Sequence, residues 1–359
     1  MRAGGSPRLT PRRLAIVGLG AVAREIHLPA CAKLPEVSVV GGADPQAAGR
    51  FSFPVFATAA ELLDRTKPEL VVVATPPEQH FGAVRQALEA GCHVLCEKPF
   101  TTTLAEADEL IALAKARARQ VVVNNQYRFM AIHAEAKRCI GQPGFGELLF
   151  LSAQQSFATS DATEAGWRGR SDERTCREFG THVLDLCRFF FDEEPRSVLA
   201  RMPRPAREAG PDYLDLVYLE FSRGRAAHVL LDRLSRGPHR YLSVSLDGSE
   251  GAIEAQLGGG ARVSLGIRGG SRRPFLEMDV SGGGRARLYQ GDRFRTLAKE
   301  PLDVFANATR LLIKGLLNAL DTGATPPCSA EDNRRTLALM LAAYESARTG
   351  AAVPMAEQR

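Results

Sequence analysis

Lysine is scarce in this 359-residue chain: seven lysines stand against 39 arginines. An ammonium is a compact donor whose pKa falls readily on desolvation, whereas guanidinium is a wide, permanently charged fork. Where lysine replaces the habitual arginine, a site needing one movable proton is a reason to look. Other shortages exclude whole classes. No stretch approaches the roughly 18 uninterrupted apolar residues of a membrane span, so no membrane partner is expected. Seven cysteines at irregular spacing (31, 92, 96, 139, 176, 187 and 328) do not read as a secreted disulfide framework, and the expected location is a reducing cytoplasm. Acid is missing from the first thirteen residues, where Arg2, Arg8, Arg12 and Arg13 contribute four charges to a formal net +5. Residues 1–12 therefore read as a flexible basic tail on a nearly neutral body, and no nucleic-acid partner is expected.

What is present is the composition of a soluble globular protein, 45% apolar and 24% charged, long enough for two domains at about 150 residues each. Arg12-Arg13 and the following apolar run Leu14–Ala23 imitate a twin-arginine export signal. That run is short, and cleavage after it would remove a strand and turn that the first domain needs.

Leu14–Val17 is a continuous apolar run of the kind buried on both faces of a parallel sheet, followed by Gly18-Leu-Gly-Ala-Val-Ala23 and a helical segment to Leu34. In this strand–turn–helix order, Gly18 permits the tight turn, Gly20 lets the backbone approach a pyrophosphate, and Ala23 allows close helix packing. A second strand, Val37–Val40, ends near Asp44, at the offset where an acid holds the adenosine ribose hydroxyls and repels a 2′-phosphate, so NAD is favoured over NADP. Glu69–Ala74 reads as a further strand ending in Thr75-Pro76-Pro77, with His80 opening a helix. His80 is either a ligand-edge residue or a capping or buried structural histidine. Cys92-His93-x-x-Cys96 has nothing to complete four metal ligands, so no metal is expected. After that strand comes Glu97-Lys98-Pro99, then a helix over 104–118, the strand Val121–Val123 and the segment Asn124–Phe129. Taken alone, Glu97 and Lys98 are equally readable as loop charges.

From residue 147 the pattern becomes alternating strands (147–157, 195–202, 213–222, 226–234, 240–247, 261–267, 275–280, 285–290) between glycine-rich turns. That predicts a large, mostly antiparallel sheet. One apolar helix, Cys176 to Phe191, interrupts it and carries Glu178, His182 and Asp185 on one face. A carboxylate one turn from a histidine stabilises the imidazolium that a general base becomes. The alternative is a surface ion pair worth a few tenths of a kcal/mol, or a satisfied core histidine.

Together these segments resemble the glucose-fructose oxidoreductase / inositol 2-dehydrogenase / rhizopine-catabolism (Gfo/Idh/MocA) family of NAD(P)-dependent oxidoreductases. The matching motifs are Gly18-x-Gly20-x-x-Ala23, Ala74-Thr-Pro-x-x-x-His80, Gly91 through Glu97-Lys98-Pro99, Asn124-x-Gln-Tyr-Arg128, Gly180-Thr-His182-x-x-Asp185, and a tail at 323–354 with Glu331-Asp332, Ala343-Tyr344 and Val353-Pro354. The resemblance implies an α/β fold. Its Rossmann doubly wound parallel sheet would span 13–127. A substrate-binding and oligomerisation domain with an open antiparallel sheet would span 128–359, its C-terminal helices free to pack back on the first domain. It implies cofactor contacts at Gly18, Gly20, Ala21, Val22, Asp44, Thr75, Pro76, His80, Glu97, Lys98 and Gln126. It further implies substrate contacts at Lys98, Arg128, Trp167, Arg168, Glu178, His182 and Asp185, catalysis by Lys98, His182 and Glu178, and a homodimer or homotetramer built through the second sheet.

The implied reaction moves a hydride between nicotinamide and a secondary alcohol or ketone of a sugar, cyclitol or derivative, with Lys98 and His182 at the reacting oxygen. Two rivals share the fold: a lyase or glycosidase using NAD transiently, and a non-catalytic NAD-binding regulatory or partner subunit. The chain departs from the family where an aspartate usually precedes the histidine by four residues after a glycine run. Here the acid is Glu178, after Glu173-Arg-Thr-Cys-Arg177, and the cations Arg174 and Arg177 raise the expectation of an acidic or phosphorylated substrate.

Overall fold

The computed structural model describes residues 10–47, 51–158, 172–205, 210–236, 240–267 and 274–355, with side chains described throughout except at 240 and 259–282. Chain contacts group into two compact units: Met1–Phe129 with Phe305–Ala338, and Met130–Val304 with Leu339–Arg359.

The first unit holds a parallel sheet of β1 (Arg12–Val17), β2 (Val37–Ala43), β3 (Val55–Phe56), β4 (Leu70–Val73), β5 (His93–Cys96) and β6 (Val121–Val123) in the order β3-β2-β1-β4-β5-β6. Strand order reverses between β1 and β4, which opens a crevice at the carboxyl ends of those two strands. Register makes those ends level: Val17 stands opposite Ala43 and Val73, Val73 opposite Cys96, and Cys96 opposite Val123. The residues one step beyond are therefore Gly18, Asp44, Ala74, Glu97 and Asn124, side by side along one edge.

Arg12 and Arg13 belong to β1. Arg12 pairs with Glu69 and Asp321, and Arg13 donates to the Thr66 carbonyl, so these arginines fasten the strand. The sheet's core of Leu14, Ile16, Leu70, Val72, Leu95 and Val122 is completed by Leu312, Ile313, Leu316 and Leu317 from the helix Val304–Thr322. Each such side chain contributes about 1.5–3 kcal/mol by leaving water. The helix Leu104–Ala116 starts from a reciprocal cap in which Thr103 accepts from the Glu106 amide and Glu106 from the Thr103 amide, fixing where the Lys98 loop ends.

The second unit carries a nine-stranded sheet in the order β14-β13-β12-β11-β7-β10-β9-β8-β15. Its strands are β7 (Leu148–Ser156), β8 (Ser197–Arg201), β9 (Leu214–Glu220), β10 (Ala226–Asp232), β11 (Arg240–Gly248), β12 (Ala252–Ile267), β13 (Pro274–Gln290), β14 (Arg293–Glu300) and β15 (Val353–Pro354). All neighbours are antiparallel except β7 and β10. The sequence reading of separate strands at 261–267, 275–280 and 285–290 is corrected: they are parts of the two long strands β12 and β13, and β14 follows them. The glycines taken for turns lie inside the ladder, where Gly258 and Gly283 adopt left-handed φ of 94° and 77° and the register slips around Gly260. They are bulges that bend paired strands without ending them.

Among the described residues no helix is long and apolar enough to cross a membrane.

Candidate active site

In the first unit the turn after β1 is held by main chain and one acid. Gly18 has φ +91°, and a Cβ there would lie 2.6 Å from the Ala74 carbonyl oxygen, so no other residue lets β1 pass this close to the end of β4. Asp44 accepts the Leu19 amide on Oδ2 and the Gln46 amide on Oδ1, both at 2.8 Å, clamping the turn to the end of β2. At Gly20 a Cβ would meet no described atom within 4 Å, which leaves the backbone open to a bulky anion. Thr75 at the end of β4 has a buried hydroxyl without a hydrogen-bond partner among the described residues. An open glycine turn before a helical N-terminus, an acid beside it and an orphan hydroxyl on the next strand fit a dinucleotide.

Glu97 follows directly. Its Oε1 accepts from His27 Nε2 at 2.8 Å and Asn124 Nδ2 at 2.7 Å, and its Oε2 from the Lys98 amide at 3.3 Å. Burial alone would raise the Glu97 carboxyl. The hydrogen bond and charge of His27, the charge of Lys98 and the Asn124 amide outweigh burial and hold it down to about 2. Lys98, half-buried, therefore sits beside a permanent anion. Sequence reasoning gave His27 no role; the available signal is a lone imidazole within the apolar run Ile26–Leu28 of a helix that the glycine turn aims at the sheet edge.

His80 is fully buried and directs Nδ1 at the Pro99 carbonyl (2.8 Å) and Nε2 at the Thr75 carbonyl (2.9 Å). Burial pushes the ring toward its neutral form, in which only one of those nitrogens donates. It thus ties the loop after β4 to the loop after β5, the structural side of the alternative left open above. Gln126 is buried, and Arg128 pairs with Asp332 at 2.8 Å. Ala21 and Val22 form the first helical turn after Gly20, and Pro76 follows Thr75 at the same edge.

In the second unit, the segment expected as one α-helix begins as a π-helix, Cys176–Gly180, and continues as the α-helix Thr181–Phe191. Such wide turns occur often at functional sites, because they re-aim side chains within a continuous helix. Gly180 permits it: a Cβ there would come within 2.8 Å of Cys176 Sγ and 2.9 Å of Leu231 Cδ1. Glu178 lies on the wide turn and His182, buried, on the first α turn. Asp185 is fully buried with Arg188 Nη1 at 3.6 Å.

The two cations read as an anion lure are matched locally. Arg174 Nε lies 3.5 Å from Glu178 Oε2, while Arg177 pairs with Glu173 and stacks over Tyr344. Trp167 and Arg168 lie outside the described residues, and no group of three potential metal ligands occurs among the described ones.

Comparison with known proteins agrees with this geometry. A model described as an oxidoreductase family with an NAD-binding Rossmann fold matches residues 12–125, and one described as the GFO/IDH/MocA C-terminal domain matches residues 133–254. D-apiose dehydrogenase of Paraburkholderia graminis is 26% identical over 95% of this chain and 89% of its own length. An uncharacterized oxidoreductase of Schizosaccharomyces pombe is 38% identical over 54% of this chain, a match spanning only 55% of that protein. An oxidoreductase from Agrobacterium radiobacter, solved with NAD+, L-tartaric acid and magnesium, shares the fold with a TM-score of 0.79 at 17% identity, covering 96% of this chain and 98% of its own. With both halves of the chain matched by models of the same group, and with the nucleotide turn, its acid and the Glu97-Lys98-Pro99 edge in place, the protein belongs to the GFO/IDH/MocA family of NAD-binding oxidoreductases.

Proposed function

We propose that this protein is an NAD-dependent dehydrogenase or reductase acting on a secondary alcohol or ketone of a sugar, cyclitol or close derivative. The observation that carries this reading is the level edge of the first sheet, where Gly18, Asp44, Ala74 and Glu97 follow strands that end in register and Thr75 and Lys98 come one residue later. Similarity to D-apiose dehydrogenase supports the substrate class. Bound NAD supplies the hydride acceptor. Asp44 would hold the adenosine ribose hydroxyls and reject a 2′-phosphate, and Gly20 would admit the pyrophosphate to the backbone. Lys98, beside the Glu97 carboxylate, would donate a hydrogen bond to the reacting oxygen and polarise it in the carbonyl direction. His182 would take the hydroxyl proton, with Glu178 stabilising the resulting imidazolium.

The test is a screen of polyols, sugars and sugar acids with NAD and NADP, following nicotinamide absorbance and cofactor release together. Net reduction of NAD by a neutral polyhydroxylated substrate is expected. Tightly retained NAD with bond cleavage and no net absorbance change would instead identify the transient-oxidation rival. A preference for NADP would refute the role given to Asp44.

A further inference from the structure

We propose that Asp212 and Asp215 form a buried acid pair sharing one proton, and that this pair positions the helix carrying Glu178 and His182; the catalytic part rests on the function proposed above. A helix begins with amides that have no partner inside it. Here the first internal bond runs from the Glu178 amide to the Arg174 carbonyl at 2.7 Å, leaving the amides of 174, 175, 176 and 177 to be satisfied from outside. Asp212 takes three of them. Its Oδ1 accepts from Arg174 and, at 3.1 Å, from Thr175, and its Oδ2 accepts from Cys176 at 3.2 Å. The Tyr344 hydroxyl accepts the fourth, from Arg177 at 3.0 Å, and itself donates to Asp212 Oδ2 at 3.0 Å. One carboxylate with four donors thus anchors the start of this helix.

Asp215, on β9, has no exposed surface, and neither of its oxygens has a hydrogen-bond partner of ordinary geometry among the described residues. Its neighbour is Asp212. Two adjacent buried carboxylates do not both ionise, and a proton on one converts the contact into a hydrogen bond. Among the described residues Asp212 already accepts from four donors and Asp215 from none, so the shared proton is assigned to Asp215, which donates it to Asp212. The other groups facing the pair are Cys176, Tyr344, Arg177 and Glu173 around the helix start, Arg174 beside Glu178, and Arg233 beyond β10. Arg233 favours ionisation of Asp215, but its guanidinium is shared with the faces of Phe157 and Phe179, each 3.9 Å away, and with Gln155 Oε1 at 2.6 Å. Burial and the Asp212 charge dominate and push Asp215 well above the usual carboxylate range; burial likewise keeps Cys176 a thiol and Tyr344 a phenol. Loss of the Asp215 proton would set a second anion against Asp212 and loosen its hold on the amides.

Two variants, D215N and D215L, test this in the full-length protein with NAD present. Infrared difference spectra should show a protonated carboxylic acid in the wild type that both variants lack. In thermal melts, a group whose folded pKa is raised costs stability as pH climbs from the ordinary aspartate range to the folded value. The wild type should therefore lose melting temperature across that window and D215N should not. These two readouts need no substrate, so they judge the shared proton even if the proposed activity is wrong. With an active substrate, D215L should lower kcat at least tenfold with KM for NAD unchanged. D215N, which keeps a donor, should restore most of that loss and flatten the alkaline limb of the kcat profile. An acid band that survives in D215N would overturn the shared proton. A D215N profile identical to that of the wild type, in an active enzyme, would overturn the positioning role.

Discussion

The two units place their candidate site residues by opposite means. In the first, five parallel strands end level, and the candidate positions lie at or just past whatever residue comes next: Gly18, Asp44, Ala74, Glu97 and Asn124. In the second, one helix is hung from side chains that arrive from far along the chain, Asp212 being 38 residues from Arg174 and Tyr344 being 167 from Arg177. The first arrangement is made by main chain and tolerates no Cβ at its tightest point. The second is made by buried side chains and depends on their protonation.

The sharpest way to break this comparison is to remove the proposed reacting group from each unit. His182→Ala and Lys98→Ala should each lower kcat by roughly a thousandfold, the loss typical of a positioned proton donor or acceptor. His182→Ala should leave NAD affinity untouched in a fluorescence titration. If it weakened NAD as much as a change in the glycine turn does, the division of labour between the units would be wrong.

Next in size is the turn itself. Gly18→Ala combines a left-handed φ with a contact to main-chain oxygen that cannot rotate away, so the ends of β1 and β4 must part. NAD affinity should fall by about a hundredfold, and stability by roughly 2–4 kcal/mol in urea unfolding. Retained NAD binding in a stable Gly18→Ala protein would show that the spacing between those strands does not set the cofactor site.

The same contrast explains what could be read without coordinates. A parallel strand buried on both faces, a glycine turn and an acid at a fixed offset are consecutive residues, so Leu14–Val17, Gly18, Gly20 and Asp44 are legible in the chain. The Cys176–Phe191 helix is legible as a helix, but its π turn is not, since an offset of four between Glu178 and His182 suits either winding. Asp212 and Asp215 give no signal, and Tyr344 is legible only as part of a tail motif, because their meaning lies in which amides they meet after the sheet has paired. His27 is an intermediate case: its position follows from the glycine turn, but its partner Glu97 is 70 residues away. The glycines near 258 and 283 mislead in the other direction, since glycine marks a bulge as readily as a turn.

The Glu97 carboxyl is held at about 2 against an ordinary 4.5, so it contributes stability that is fully present above the ordinary glutamate range and is lost as pH falls toward 2. That amounts to something on the order of 3 kcal/mol. Glu97→Gln should be less stable at neutral pH, where it surrenders an anion that serves His27, Asn124 and the Lys98 amide. Its urea midpoint should change less than that of the wild type as pH is lowered from 5 to 3. Equal acid slopes in the two proteins would mean that the first unit does not store charge at its edge.

The smallest effect separates main-chain from side-chain tightness most cleanly. Gly180, like Gly18, has no room for a Cβ, but its neighbours are Cys176 Sγ and Leu231 Cδ1 rather than a carbonyl oxygen. Side chains can yield where backbone cannot, so Gly180→Ala should cost only about 1–3 kcal/mol, the usual range for overpacking. Because the nearer atom is a thiol, Cys176→Ala should open the space it needs, and the double variant should recover about 1 kcal/mol relative to the sum of the singles. No equivalent rescue exists for Gly18→Ala, whose obstacle is the main chain of Ala74. If Cys176→Ala failed to relieve Gly180→Ala in a urea-unfolding cycle, the wide turn before His182 would be set by backbone after all, and the two units would differ less than their geometry indicates.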